Sequence, residues 1–280
     1  MPIVYQCRSC KWFRVTRWIG RCPNCGGFFD IQQRHEDVEG AEPAEPTEGE
    51  VLSLSDAVNR IVEIPRLETD IAGLDSVLGG GFATNSLTLL CGDPGCGKST
   101  LLIQAFQALA KRRHPVLYVT GEQSISDIAR RAKSFGKFPA RFMAVRETDL
   151  DSILDHAEEH KPKVLAIDSI QTVSVDDDLE IGSAASIKAA IRALMDFAKE
   201  ENVAIVVIGH VTKGGALGGP RALEHYVDTN LFLANADNGE RVLRCDSKNR
   251  YGPVPRQARF RMTETGLVEI GDVEPIEGIM

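Results

Sequence analysis

No apolar run in the 280-residue sequence approaches the ~20 residues a membrane-spanning helix needs; the longest is about Val203 to Ile208. The opening residues, MPIVYQCRSC, contain no apolar stretch of the kind that drives secretion, so no export signal is read and the chain is expected in the cytoplasm. There is no excess of positive charge: 32 Lys and Arg face 40 Asp and Glu, a net charge of −8, which argues against a strongly cationic nucleic-acid coat. Aromatic residues are scarce at 6%, and both tryptophans, Trp12 and Trp18, fall near the start. There is no internal repeat. Cysteines number seven, an odd count, and four of them fall within the first 25 residues. In a chain without an export signal, clustered cysteines point to metal ligation before disulfides.

The charge is unevenly placed. Residues 1–35 carry six basic groups against the single acid Asp30, whereas residues 36–50, EDVEGAEPAEPTEGE, carry seven acids and no base. The acidic stretch has no apolar period and reads as an extended, solvated linker. From residue 51 to 280 short apolar runs alternate with amphipathic patterns. Strands are expected at Ser86–Cys91, Val116–Thr120, Val164–Ile167 and Ala204–Gly209, and helices at Ser99–Ala110, Asp149–His160 and Ser183–Glu201. Strands apolar on both faces and separated by helices indicate an α/β fold, with a mostly parallel sheet covered on both sides. Beyond Asp228 the sequence LFLA, a turn at Asn235–Gly239 and RVLRC spell a hairpin.

Cys7-x2-Cys10 and Cys22-x2-Cys25 are two short knuckles separated by eleven residues. Together they offer the four thiolates of a closed tetrahedral Zn²⁺ site, structural because no position is left for a substrate. Free thiols or a redox pair are the other readings. A piece of ~35 residues cannot bury a self-sufficient core, so the metal would supply its folding free energy. Arg14 and Arg17 beside Trp12, Phe13 and Trp18 could contact nucleic acid, pack the ribbon or hold a partner protein.

Gly92-Asp93-Pro94-Gly95-Cys96-Gly97-Lys98-Ser99 fits the phosphate-loop pattern, between an apolar strand and a helix that continues with Thr100. Its glycines let backbone N–H groups converge on a phosphate, Lys98 adds a point charge, and Ser99 offers a hydroxyl to Mg²⁺. Asp168, ending the strand in KVLAIDS, stands where a second acid of the Mg²⁺ site belongs, although a strand-end Asp also caps helices. Glu122, in VTGE, ends another strand at the same edge and is the candidate base for water; the alternative is capping the helix from Ser124. His210, after VVIG, is a candidate γ-phosphate sensor or a simple hydrogen-bonding group.

The four-cysteine ribbon, GDPGCGKST, VTGEQS, the segment Asp168–Thr172, GHVTKGGALGGPRALEH and above all Lys248-Asn-Arg-Tyr-Gly252 resemble, in order and over nearly the whole chain, the bacterial RadA (Sms) family of RecA-like repair ATPases. Tyr251 replaces the Phe of that family's signature. The resemblance implies a RecA-like ATPase core over 51–280, preceded by a zinc ribbon over 1–35 and the linker over 36–50. It also implies ATP with Mg²⁺ as ligand, Glu122 activating water, and Lys248 and Arg250 acting across a subunit interface of a homo-oligomeric ring or filament. Single-stranded DNA and a RecA-type recombinase are the implied partners, with helicase or translocase activity and branch migration as the implied work. Full-length relatives continue into a Lon-protease-like domain, whereas this sequence ends about ten residues after Val268–Ile270, which weakens the expectation of stable rings. Ser174–Ile181 is acidic and a poor contact for phosphates. Thr212–Arg221, with Lys213 and Arg221 among four glycines, is the better DNA-loop candidate, or else a flexible loop with two solvated charges. The alternative function is a nucleotide-switched binding protein that engages a protein partner instead of DNA. Cys96 stands inside the phosphate loop, where oxidation would block nucleotide; Cys91 and Cys245 read as small core residues.

Overall fold

The computed structural model describes residues 53–58, 63–176, 178–210, 223–236 and 238–271 in full, and the backbone alone of 4–7, 13–15, 29–32, 59 and 274–275. The chain divides into two compact units, Met1–Glu63 and Ile64–Met280.

In the first unit, β1 (Val4–Cys7) lies between β2 (Phe13–Val15) and β3 (Phe29–Gln32) in an antiparallel sheet. Cys7 ends β1; its side chain, and Cys10, Cys22 and Cys25 altogether, lie outside the described residues, as does the acidic stretch 36–50. The short helix α1 (Leu54–Asn59) starts where the Ser53 hydroxyl accepts the Asp56 N–H at 3.1 Å, covering one of the helix's orphan donors.

The second unit opens with the small ribbon β4 (Arg66–Leu67) and β5 (Phe82–Ala83), between which runs α2 (Ala72–Leu78). Next come β6 (Ser86–Gly92), α3 (Lys98–Lys111), β7 (Val116–Thr120), α4 (Ile125–Ala132), β8 (Phe142–Arg146) and α5 (Leu150–His160). The chain continues through β9 (Val164–Asp168), α6 (Ala184–Glu200), β10 (Ala204–Ile208) and β11 (Thr229–Asn235). It closes with β12 (Glu240–Cys245), β13 (Arg256–Thr263), β14 (Gly266–Glu269) and β15 (Glu274–Pro275). One sheet runs β14-β13-β12-β11-β6-β10-β9-β7-β8, with β15 also paired to β13. From β11 to β8 all neighbours are parallel, and from β11 to β14 all are antiparallel. The hairpin expected after Asp228 is β11–β12, with Leu233 opposite Leu243.

The sequence makes this sheet because its central strands are apolar on both faces. All seven residues of β6 and all five of β10 are buried. One face meets α3 through Leu101, Leu102, Phe106 and Leu109; the other meets α5 and α6 through Ile153, Ile187, Ile191 and Leu194. Each such side chain contributes ~1.5–3 kcal/mol by leaving water. Helix boundaries follow the caps. Asp149, Ser183 and Ser124 stand just outside α5, α6 and α4, and each accepts an N–H from the first turn: Ser152 at 2.9 Å, Ser186 at 3.2 Å and Asp127 at 3.2 Å. The helices expected from Asp149 and Ser183 therefore begin one residue later, and α3 begins one residue earlier, at Lys98, because Gly97 occupies its N-cap in the left-handed region. Gln104 of α3 fastens β14 by accepting the Leu267 N–H at 2.8 Å and donating to its carbonyl at 3.2 Å.

Parallel pairing has a consequence for the site. Thr120 lies beside Asp168 and Leu90 beside Ile208, so β6, β7, β9 and β10 all end at the same edge.

Candidate functional site

The segments leaving those strand ends line an open cleft of about 260 Å³, bounded by Gly95, Gly97, Lys98, Ser99, Thr100, Glu122, Gln123, Arg131, Asp168, His210 and Met262. Ligand sites of open α/β sheets form at this carboxyl edge. The loop between β6 and α3 can be built only with glycine at its ends. A Cβ on Gly92, at φ 150°, would stand 1.9 Å from the Leu233 carbonyl oxygen; on Gly97, at φ 107°, it would stand 2.8 Å from Met262 Cε. The first turn of α3 has no side-chain cap, so its N–H groups and the positive end of its dipole are presented to the cleft. Lys98 is buried, and its Nζ donates to the carbonyls of Gly92 at 2.8 Å and Asp93 at 3.0 Å, which fixes the ammonium above the loop.

Asp168 ends β9, where the Tyr118 hydroxyl of β7 donates to its Oδ2 at 2.5 Å. Tyr118 is fully buried; burial first, then the charge of Asp168 and the bond to it, push its phenol well above the usual range, so it remains a donor. Ser99 hydroxyl and Asp168 carboxylate are hard oxygen donors on the same cleft, a set suited to Mg²⁺. The next residue, joined to Asp168 by a cis peptide bond, is Ser169, whose hydroxyl donates to Glu122 Oε1 at 2.6 Å. His210 Nε2 lies 3.4 Å from the same oxygen. Glu122 caps nothing: α4 is capped by Ser124, leaving the carboxylate in the cleft. Gly121 lets the chain pass close to Thr172, because a Cβ there would lie 1.9 Å from Thr172 Oγ1. Arg131 of α4 enters the cleft and donates to Gln123 Oε1 at 2.7 Å.

Thus Lys98, Ser99, Thr100, Glu122, Asp168 and His210 come together. Lys248 and Arg250 do not line this cleft. Lys248 Nζ donates to the carbonyls of Glu224 at 3.0 Å and His225 at 3.2 Å, and Arg250 pairs with buried Asp228 at 3.1 Å. Between them, Asn249 donates to the Leu78 carbonyl at 3.0 Å, tying this segment to the end of α2. Arg66 donates to the Tyr251 carbonyl and lies over its ring, 5.5 Å from the centroid. Lys213 and Arg221 lie outside the described residues.

The cysteine expectations divide. Cys91 and Cys245 are buried core residues, each with its thiol pushed up to about 12, chiefly by burial. Cys96 is buried under the loop instead of presented to solvent, and burial also raises its thiol. That makes it a poor target for oxidation, which needs an exposed thiolate. Tyr118, Ser169, Arg131 and Met262 were not singled out by the sequence reading. VLYVT, buried at all five positions, hides Tyr118 in a run that reads as core, and Met262 reaches the loop from a strand far along the chain.

A parallel sheet with a phosphate loop between its central strand and the following helix, facing two strand-end carboxylates, defines a P-loop nucleotide-binding core. The AAA domain family matches residues 55–216, more than half of the chain, and the protein belongs to that family. The resemblance to RadA extends beyond the motifs. The chain is 36% identical over 279 residues to the DNA repair protein RadA of Pseudomonas aeruginosa, covering 98% of this chain and 60% of that protein. It is 39% identical over 284 residues to RadA of Salmonella typhimurium, covering 97% and 60%. Against RadA of Listeria monocytogenes the figure is 36% over 271 residues, covering 96% and 59%. The chain thus spans about 60% of the length of these relatives. Among the described residues, no helix is long and apolar enough to cross a membrane.

Proposed function

We propose that this chain is the ATP-hydrolysing part of a bacterial DNA-repair protein, acting in the cytoplasm and coupling hydrolysis to movement on or extension of single-stranded DNA beside a RecA-type recombinase. The observation that carries the reading is the meeting of Lys98, Ser99, Asp168 and Glu122 on one cleft. Loop N–H groups and the Lys98 ammonium bind the β/γ-phosphates, and the first turn of α3 favours their negative charge. Mg²⁺, held by Ser99 and Asp168, supplies charge neutralisation to the phosphate oxygens when bound. Tyr118 orients Asp168 for that task. Glu122, aimed by Ser169, orients a water in line with the γ-phosphate and takes its proton. His210, beside the same carboxylate, is placed to respond to the γ-phosphate.

The N-terminal residues 1–35 are proposed as a four-cysteine zinc ribbon on a 36–50 linker, with the ATPase over 51–280. Lys248 and Arg250 are proposed to reach a neighbouring subunit's nucleotide, and Lys213 and Arg221 to contact DNA. The test is ATPase rate with and without single-stranded DNA across a salt series, with Lys98→Ala as blank. Stimulation that fades with salt supports the reading, because phosphate contacts weaken as counterions compete. A rate indifferent to DNA overturns it in favour of a nucleotide-switched binding protein.

A further inference from the structure

α5 ends in His156-Ala-Glu-Glu-His160, a pair of imidazoles four residues apart with Glu159 between them. One turn of helix separates positions i and i+4, so both rings stand on one face. They stack at 6.4 Å between centroids and 11° between planes. Their nitrogens and a Glu159 carboxylate oxygen all lie within 4.8 Å of one another. His156 is half-buried, and Glu159 and His160 are exposed. Among the described residues, none of the three side chains makes a hydrogen bond or ion pair, whereas Asp155 and Glu158 on the same helix do have partners.

We propose that His156, Glu159 and His160 form a site for a divalent transition metal, Zn²⁺ or a neighbour such as Ni²⁺ or Cu²⁺. Two imidazoles and a carboxylate are a borderline-soft donor set that suits these ions better than Mg²⁺ or Ca²⁺. Bonds of about 2.0–2.2 Å at a tetrahedral ion need donors roughly 3.4 Å apart, and rotation about exposed side-chain torsions closes the remaining gap. Position helps as well. The three residues occupy the final turn of α5, which Lys161 closes in the left-handed region, with its N–H on the Ala157 carbonyl at 2.9 Å. The outward carbonyls of that turn form the negative end of the helix dipole, which favours a cation. The H-x-x-E-H spacing also serves zinc peptidases, but there the metal faces a substrate cleft. Here the helix face is open, so the arrangement offers binding and not peptide hydrolysis. A bound ion clips the last turn of α5, the turn that leads through 161–163 into β9 and so to Asp168.

Equilibrium dialysis of the whole chain against Zn²⁺, with metal counted per chain, tests the site against any thiolate-bound ion by difference. His156→Ala and His160→Ala are each expected to hold one equivalent fewer than the parent, and Glu159→Gln to bind that equivalent at least about tenfold more weakly, as loss of a ligand should cost no less than loss of its support. Cu²⁺ electron paramagnetic resonance supplies a second readout, with hyperfine coupling to two nitrogens in the parent and to one in His160→Ala. Equal stoichiometry in all four proteins, or unchanged nitrogen coupling, overturns the proposal. Melting in EDTA confirms that each variant is folded; should His156→Ala melt early, His156→Gln replaces it in the same comparison.

Discussion

The Ser169 hydroxyl donates to Glu122 Oε1 across 2.6 Å, while His210 Nε2 lies 3.4 Å from that same oxygen. One carboxylate oxygen is thus held between two groups from two other strand ends, on a residue that lines the cleft. A hydrogen bond to a carboxylate is worth ~1.5–3 kcal/mol, ample to hold one rotamer over another. If Glu122 is the base proposed above, Ser169→Ala costs it its aim, so kcat for ATP should fall about tenfold with KM for ATP little changed, the phosphates being assigned to the loop. Steady-state kinetics check this. A raised KM with kcat intact would give Ser169 a binding role instead.

Tyr118→Phe removes a single oxygen from a buried position. Phenylalanine fills the same space against Phe142, whose ring lies 6.3 Å away, so the fold should survive with a modest loss of ~1–2 kcal/mol for the missing bond. Asp168 then loses the donor that fixes its Oδ2. The Mg²⁺ concentration giving half-maximal ATPase is expected to rise several-fold, whereas the maximal rate at saturating Mg²⁺ should approach that of the parent. A Mg²⁺ titration of the rate decides; an unshifted midpoint would leave Tyr118 as packing alone.

The phosphate loop, the strand-end acids and the hairpin were legible because each is written in adjacent residues: glycine spacing, an apolar run ending in Asp168, a turn between two alternating segments. What holds those groups in place was not. Ser169 follows Asp168 directly, yet its bond to Glu122 spans 47 positions in sequence, and only the parallel pairing of β7 with β9 brings the two together. Tyr118 sits in a run that reads as core, and it is core except for one oxygen. β8 carries no clear strand signature because, at the sheet edge, its residues are half-buried and Arg146 is exposed, which blurs the fully apolar pattern of an inner strand. The segment 248–252 reads as a functional motif, and the structure shows it as a clasp between β11 and α2.

Thiol chemistry should report on the burial of Cys91, Cys96 and Cys245. With Cys91 and Cys245 pushed up from 9.0 to about 12, and Cys96 buried in the loop with its thiol also raised, alkylation at pH 8 of the folded chain should leave all three intact. Peptide mapping after urea should find them modified. The same shifts have a stability consequence. Below pH 9 both states hold these protons; above it the unfolded chain releases them and the folded chain does not, so stability declines as pH rises through 9 toward 12. Labelling of Cys96 in the native protein would overturn its assignment to the interior.

Arg250 and Asp228 share an ion pair but not a role in stability. Asp228 is 1% exposed and accepts the Leu87 N–H at 3.1 Å as well as Arg250, so Asp228→Ala strands a buried donor at the start of the central strand β6 and should cost ~1–3 kcal/mol. The Arg250 side chain is 58% exposed and the Asp228 carboxylate keeps the Leu87 N–H when the guanidinium goes, so Arg250→Ala should melt below the parent by less than Asp228→Ala does. That difference makes Arg250 a usable probe of action between subunits. If its guanidinium serves a neighbour's γ-phosphate, Arg250→Ala should reduce ATPase activity at least tenfold in assembled protein while leaving the melting temperature within a few degrees. Mixing Arg250→Ala with Lys98→Ala should then restore part of the activity, because one of the two kinds of mixed interface pairs an intact loop with an intact arginine. No recovery on mixing, in a sample shown by sedimentation to be co-assembled, would confine Arg250 to its bond with Asp228 and leave charge neutralisation at the γ-phosphate to Lys98 and groups of the same subunit.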